Sequence, residues 1–282
     1  LPISRHAIMS DEAFQREITA RYDAPMYRAM LEVWGDQIHP GLLESEDEEL
    51  YPAAVKATER LAELAEIRNG IHVLETACGV GGTARFLAAT MGCRVTATNI
   101  SRGQLETSVE WTEGKPGADL ISYEFANFEE LAYDDASFDV YWCQDALLFS
   151  TARSTAIAEA ARVVKLGGTI AITDLTVAGD PDAATTAMLA DISKPGFWSL
   201  ESYREALDAA GFDVIASEDW TRHVLPSFLR IRADIIAKKD QLAAIAGVAE
   251  VEDTIERYHL WCDAAATGNL GWGAVAGRKR ET

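Results

Sequence analysis

From residue 71 onward, short apolar runs alternate with stretches whose apolar residues recur at helical spacing. The runs fall near 71–75, 94–98, 121–126, 138–143, 169–174, 213–219 and 271–277, and the helical stretches near 83–91, 101–112, 152–165 and 199–210. Apolar strands in alternation with helices are the pattern of a parallel sheet covered on both faces. Lys165-Leu-Gly-Gly168 predicts a helix end capped by a left-handed glycine before the fifth strand, and Gly211 does the same before the sixth. Three segments fall outside this rhythm. Residues 11–68 read as helical, broken by a loop from Gly35 to Glu46, with an acidic run from Glu44 to Glu49 placed to favour a helix N-terminus. Residues 175–198 join a strand to a helix, and residues 221–270, rich in Ala, Leu and Ile, interrupt a hairpin between the last two strands. Insertions beyond the carboxyl ends of a parallel sheet are well placed to roof a ligand crevice. The expected organisation is a helical N-terminal cap over residues 1–70 and an α/β core over 71–282, with lid insertions at about 175–198 and 221–270.

Charge narrows the partners. Forty-five Asp and Glu against 25 Lys and Arg in 282 residues leave a formal charge of −20, which repels phosphate backbones and anionic membrane surfaces. Nucleic acid and membrane are therefore not expected partners; a small molecule is. Such acidity suits a high-salt cytoplasm, where screening removes the repulsion, and equally an ordinary acidic enzyme. Cys78, Cys93, Cys143 and Cys262 lack metal-ligand spacing and read as small core residues in a reducing compartment, so neither a metal nor a disulfide is expected. No apolar run approaches the roughly 20 residues of a membrane span, and the start lacks a signal-peptide core, so a cytoplasmic monomer or homodimer is expected.

The chemistry concentrates in residues 71–85, where an apolar run ends at Glu75 and is followed by Gly79, Gly81 and Gly82 before a helix. Glycines without Cβ let the backbone approach a ligand, and the helix start directs N–H groups at it. Gly79-x-Gly81-x-x-Ala84 also fits the dinucleotide fingerprint of NAD enzymes. Those enzymes place an acidic residue about 20 positions on, to hold ribose hydroxyls. Here that place carries Asn99, then Ile100 and Ser101; Asn still bonds a hydroxyl, so the alternative is weakened rather than removed.

Three motifs taken together resemble the class I S-adenosylmethionine-dependent methyltransferases: Glu75-x-x-x-Gly79-x-Gly81-Gly82, Asp134-Asp-Ala-Ser-Phe-Asp-Val140 and Val163-Val-Lys-Leu-Gly-Gly168. Outside that common core, Val33-Trp-Gly-Asp-Gln-Ile-His-Pro-Gly41, Trp142-Cys-Gln-Asp145, Leu225-Pro226 with Arg230-Ile-Arg232, and Gly268-Asn-Leu-Gly-Trp-Gly273 look like the sarcosine/dimethylglycine N-methyltransferases. The N-terminal elements are also similar to sugar O-methyltransferases and small-molecule C-methyltransferases. The resemblance implies a Rossmann-like seven-stranded sheet, S-adenosyl-L-methionine as cofactor and a small-molecule methyl acceptor.

Site roles follow from the resemblance. Glu75, Ala77, Gly79 and Gly81 would take the methionine part, with Glu75 near the ammonium, and Asn99 and Ile100 the ribose with help from Gln104. Asn127 and Phe128 would meet the adenine. Gln144 and Asp145, after the fourth strand, would face the transferred methyl, and Asp145 with Tyr22 is expected to be catalytic. The related phosphoethanolamine enzymes keep a His four positions after the acidic residue, where this chain has Phe149. Trp34, His39, Phe149, Arg222 and Phe228 are expected at the acceptor, an Arg being suited to grip a carboxylate. Asn127 also reads as a turn residue, Asp145 as a helix cap and His39 as a structural histidine. The resemblance points first to N-methylation of sarcosine or dimethylglycine toward betaine. An O- or C-methyltransferase of specialised metabolism and a non-catalytic cofactor-binding regulator are the alternatives, since fold does not determine acceptor.

Overall fold

The computed structural model describes residues 11–281 other than 179, 180, 182, 184, 185, 188 and 190–195. All seven apolar runs become strands: β1 (His72–Thr76), β2 (Arg94–Asn99), β3 (Ile121–Phe125), β4 (Phe138–Gln144), β5 (Val164–Val177), β6 (Phe212–Asp219) and β7 (Leu270–Lys279). They form one sheet in the order β3-β2-β1-β4-β5-β7-β6. The five strands from β3 to β5 are parallel, and β7 runs antiparallel to both β5 and β6. The order reverses between β1 and β4, where an open α/β sheet leaves a crevice beyond its strand ends.

Period-two alternation divides the core. Val73, Val140 and Trp142 pack on one face of the sheet with α3 (Leu50–Leu64) and α4 (Gly82–Met91), while Leu74, Tyr141 and Cys143 pack on the other with α6 (Arg153–Val163) and α7 (Leu200–Ala209). Central strands buried on both faces carry continuous apolar runs, as here. The four cysteines are buried and free.

The cap is built from both ends of the chain. Helix α1 (Asp11–Tyr22) packs on α2 (Pro25–Trp34), which a loop joins to α3 and which meets α8 (Val224–Ala237) and α9 (Lys239–Ala246) from the β6–β7 excursion, with α10 (Val248–Ala266) packed on both of these. The loop between α2 and α3 satisfies its backbone through α8 and its approach. Ser227 Oγ donates to Gly41 O (2.8 Å) and accepts from Gly41 N–H, His223 Nδ1 donates to Leu43 O (2.7 Å), and Arg230 donates to Glu48 O (3.1 Å).

One expectation is corrected. Lys165 to Gly168 does not end a helix; α6 stops at Val163 and the chain enters β5 at once, Val164 pairing with Phe138. The register shifts before Val140 pairs with Thr169, so the glycines serve a bulge: Gly167 has φ 72°, and a Cβ on Gly168 would lie 2.6 Å from Asp139 O.

Candidate active site

A cavity of about 980 Å³, counted with its open mouth, lies beyond the carboxyl ends of β1, β2 and β4 and under the cap. The loop after β1 forms its floor by an unusual backbone route in which Ala77 (φ 56°), Gly79 (φ 56°) and Gly81 (φ 81°) are all left-handed. For Ala77, which has a Cβ, this conformation is strained. Gly81 itself does not line the cavity; a Cβ there would lie 2.4 Å from the Tyr123 hydroxyl, so its role is to let α4 pack against β3.

Among the described residues, two polar side chains on the walls each have one atom without a hydrogen-bond partner. Glu75 is 3% exposed and its Oε2 accepts no hydrogen bond; burial raises its pKa from 4.5 to about 8, Arg85 acting weakly the other way. Gln104 is also buried, and its Nε2 has no hydrogen-bond partner among the described residues. Asn99, the residue the sequence favours for a ribose, is spent on scaffolding: its Nδ2 donates to Gln104 Oε1 (2.6 Å) and Gly79 O (3.3 Å), and its Oδ1 accepts from Ser101 N–H (3.0 Å). An unpaired buried carboxylate oxygen seeks a cation and an unpaired amide seeks an acceptor. Beside left-handed glycines that open the backbone, these groups fit the ammonium and hydroxyls of S-adenosylmethionine.

The far end of the cavity is aromatic and acidic. Tyr22 stands edge-on to Tyr27 (centroids 4.8 Å apart) and to Phe149 (5.9 Å), and Asp145 projects from the end of β4. Asp145 has φ 53° and does not cap the short helical turn that follows. Its Oδ2 accepts from Thr173 Oγ1 (2.9 Å) and its Oδ1 from Trp272 Nε1 (2.8 Å). Burial lifts its pKa from 3.8 to about 7 against the pull of these two donors.

His39 joins a buried polar cluster. Its Nδ1 meets Pro40 O at 2.9 Å, and its Nε2 faces Gln37 Oε1 (3.0 Å) and Thr58 Oγ1 (3.3 Å). Thr58 reaches Gln144 in turn (3.4 Å). Burial drives the His39 pKa down to about 4, so it is neutral at physiological pH. The loop carrying it is anchored by Asp36, which pairs with Arg85 at 2.8 Å and whose backbone O would lie 2.0 Å from a Cβ on Gly82.

The structure thus brings Tyr22, His39, Glu75, Ala77, Gly79, Asn99, Ile100, Gln104, Asn127, Phe128, Gln144, Asp145 and Phe149 to one cavity. Asn127 combines both of its readings, lining the cavity while its Oδ1 takes the Glu129 N–H in a turn. Trp34, Arg222 and Phe228 are not on its walls. Trp34 packs on Tyr27, and Phe228 is sandwiched in the core with Tyr258 and Trp261. Arg222 is exposed and pairs with Glu44 at 3.0 Å, because the turn after β6 points it to solvent. Sequence reasoning did not single out Ile18, Asp36 or Ile38 as wall residues. Asp36 and Ile38 lie inside the Val33 to Gly41 element, but its course over the cavity depends on Gly82.

Residues 74–172 match the Methyltransferase domain family. The chain is 30% identical over 250 residues to a sarcosine/dimethylglycine N-methyltransferase of Halorhodospira halochloris, covering 88% of this chain and 90% of that one. It is 29% identical to a 27-O-demethylrifamycin SV methyltransferase of Amycolatopsis mediterranei, covering 89% and 94%. A crystal structure from Galdieria sulphuraria, of a protein proposed to be a sarcosine dimethylglycine methyltransferase, superposes with a TM-score of 0.84 at 26% identity over 95% of this chain and 99% of that one.

Proposed function

Because this chain belongs to the class I S-adenosylmethionine-dependent methyltransferases, we propose that it methylates the nitrogen of a small amine, sarcosine and dimethylglycine being the first to test. The observation that carries this reading is the convergence of Tyr22, Tyr27, Phe149 and Asp145 at one end of the cavity. S-adenosylmethionine supplies an electrophilic methyl on a sulfonium sulfur. Glu75 pairs with its ammonium, Gln104 donates to a ribose hydroxyl, and Asn127 with Phe128 receives the adenine. Asn99 holds Gly79 and Gln104 in place rather than bonding the ribose itself. The cap that carries Tyr22 and His39 excludes water, and Asp145 takes the proton that a protonated amine must lose before its lone pair is free. Aromatic faces then stabilise the positive charge that grows on nitrogen.

A second reading, O-methylation of a specialised metabolite, is favoured by one feature. Among the described residues lining the cavity there is no Lys or Arg to receive an amino-acid carboxylate. With a hydroxyl acceptor, Asp145 would take the hydroxyl proton. Incubation with S-adenosylmethionine and a panel of glycine, sarcosine, dimethylglycine and hydroxyl acceptors, read by mass spectrometry, decides between them. Methylated sarcosine or dimethylglycine supports the first reading. Turnover of hydroxyl acceptors alone replaces it with the second.

A further inference from the structure

The Gly-Trp-Gly element of β7 takes no part in the roles assigned so far, yet Trp272 connects to the cavity through Asp145. The indole is 1% exposed, stands edge-on to Trp220 at 4.9 Å, and donates to Asp145 Oδ1 across the intervening strand β5. A buried indole N–H needs an acceptor, and any backbone carbonyl would serve. Here it meets the carboxylate at the cavity wall whose backbone is left-handed. Thr173 supplies the second constraint twice over: its Oγ1 donates to Asp145 Oδ2 and its carbonyl accepts the Asp145 N–H at 2.8 Å. Thr173 and Trp272 lie on the neighbouring strands β5 and β7 and Asp145 directly follows β4, so the sheet fixes the side chain's direction.

We propose that Thr173 and Trp272 are positioning residues that hold the Asp145 carboxylate as a hydrogen-bond acceptor aimed into the cavity, ready for the proton leaving the methyl acceptor. This rests on the reading of Asp145 as that proton's destination. The proton moves from the acceptor's nitrogen or oxygen to a carboxylate oxygen of Asp145, leaving the lone pair on the acceptor. Both donors favour the charged carboxylate, opposing the burial that disfavours it. Asp174, next along β5, and Cys143 on β4 both feel its charge, and burial pushes the pKa of both upward. Asp174 also accepts from Tyr203 and lies within the field of Arg153. On the cavity side the titratable groups are Tyr22, Tyr27 and Cys78, all of which burial pushes up, neutral His39, and the carboxyls of Asp36, Glu75 and Glu129.

The test needs no known acceptor. With 13C-labelled aspartate carboxyls, the resonance missing from D145N identifies Asp145, and its titration midpoint is followed in the full-length protein. T173V keeps the side chain's shape and removes the hydroxyl; its midpoint is expected to rise by about one pH unit, since a hydrogen bond to a charged group is worth about that much or more. W272F is expected to move it the same way, and T173S to restore the wild-type value. Unmoved midpoints in T173V and W272F overturn the proposal, and T173V alone decides if W272F does not fold. Turnover by D145N with an acceptor from the panel is a separate measurement. Full activity there would overturn the proton role of Asp145 even where the carboxyl midpoints shift as expected.

Discussion

Glu75 is held in the ligand-free protein at a cost to stability that pH should expose. Its carboxyl titrates at about 8, against an ordinary 4.5, because it is buried with one oxygen unpaired. Between those values the folded protein keeps a proton that the unfolded chain has released, so stability falls as pH rises through the interval. The full effect is on the order of 5 kcal/mol above pH 8, and relaxation or water entry would reduce it to roughly 2–4 kcal/mol. Glu75→Gln preserves shape and never ionises. Urea denaturation of the ligand-free proteins should therefore show the variant gaining on wild type by that amount from pH 5 to pH 8. On the proposed function the same substitution removes the partner of the cofactor's ammonium, so calorimetry should show affinity for S-adenosylmethionine reduced at least tenfold. A stability difference that is the same at both pH values would refute the argument, since a Glu75 whose pKa is unchanged by folding has no linkage to lose.

Gly82→Ala would place a Cβ 2.0 Å from Asp36 O; relief requires the loop to move, at about 1–3 kcal/mol of stability, with weaker cofactor binding, both measurable by thermal shift. Arg222→Ala should leave stability within about 0.5 kcal/mol of wild type and acceptor KM unchanged, because the side chain is 73% exposed and paired at the surface; a tenfold rise in KM for dimethylglycine would return it to the site. With a formal charge of −20, raising NaCl from about 0.05 to 1 M should raise the melting temperature as the Debye length falls from over 10 Å to about 3 Å; a flat or falling profile would count against self-repulsion as a load on the fold.

Strand positions were legible because centrally buried strands require apolar runs, and the cavity's floor because glycines in left-handed conformations leave a signature in spacing. What spacing does not carry is how polar atoms are shared out. Asn99 and Gln104 both read as ribose ligands, and only their mutual hydrogen bond shows which one retains an unpartnered group. Arg222 read as a carboxylate grip because a cation is conspicuous in an acidic chain, but the direction of a side chain at a strand's end depends on the turn that follows. Trp272 was one aromatic among several until strand order set it two strands from Asp145. Lys165 to Gly168 shows a related ambiguity: glycines after a helix suit a cap and a bulge equally, and pairing with β4 decides.

The dependence of the loop after α2 on Ser227, His223 and Arg230 also constrains the order in which the molecule can be assembled. About 180 residues separate the partners, so a growing chain exposes the first three helices long before the segment that satisfies their connecting loop leaves the ribosome. Contacts this distant in sequence form late and slow a folding reaction. The parallel strands β1 to β5 can pair without them, and the roof over the crevice closes only when the last fifth of the polypeptide arrives. A nascent or truncated chain ending near residue 220 should thus contain most of the sheet yet fail to retain cofactor, which pulsed proteolysis of stalled chains would reveal as a protected core beneath a cleavable N-terminal segment.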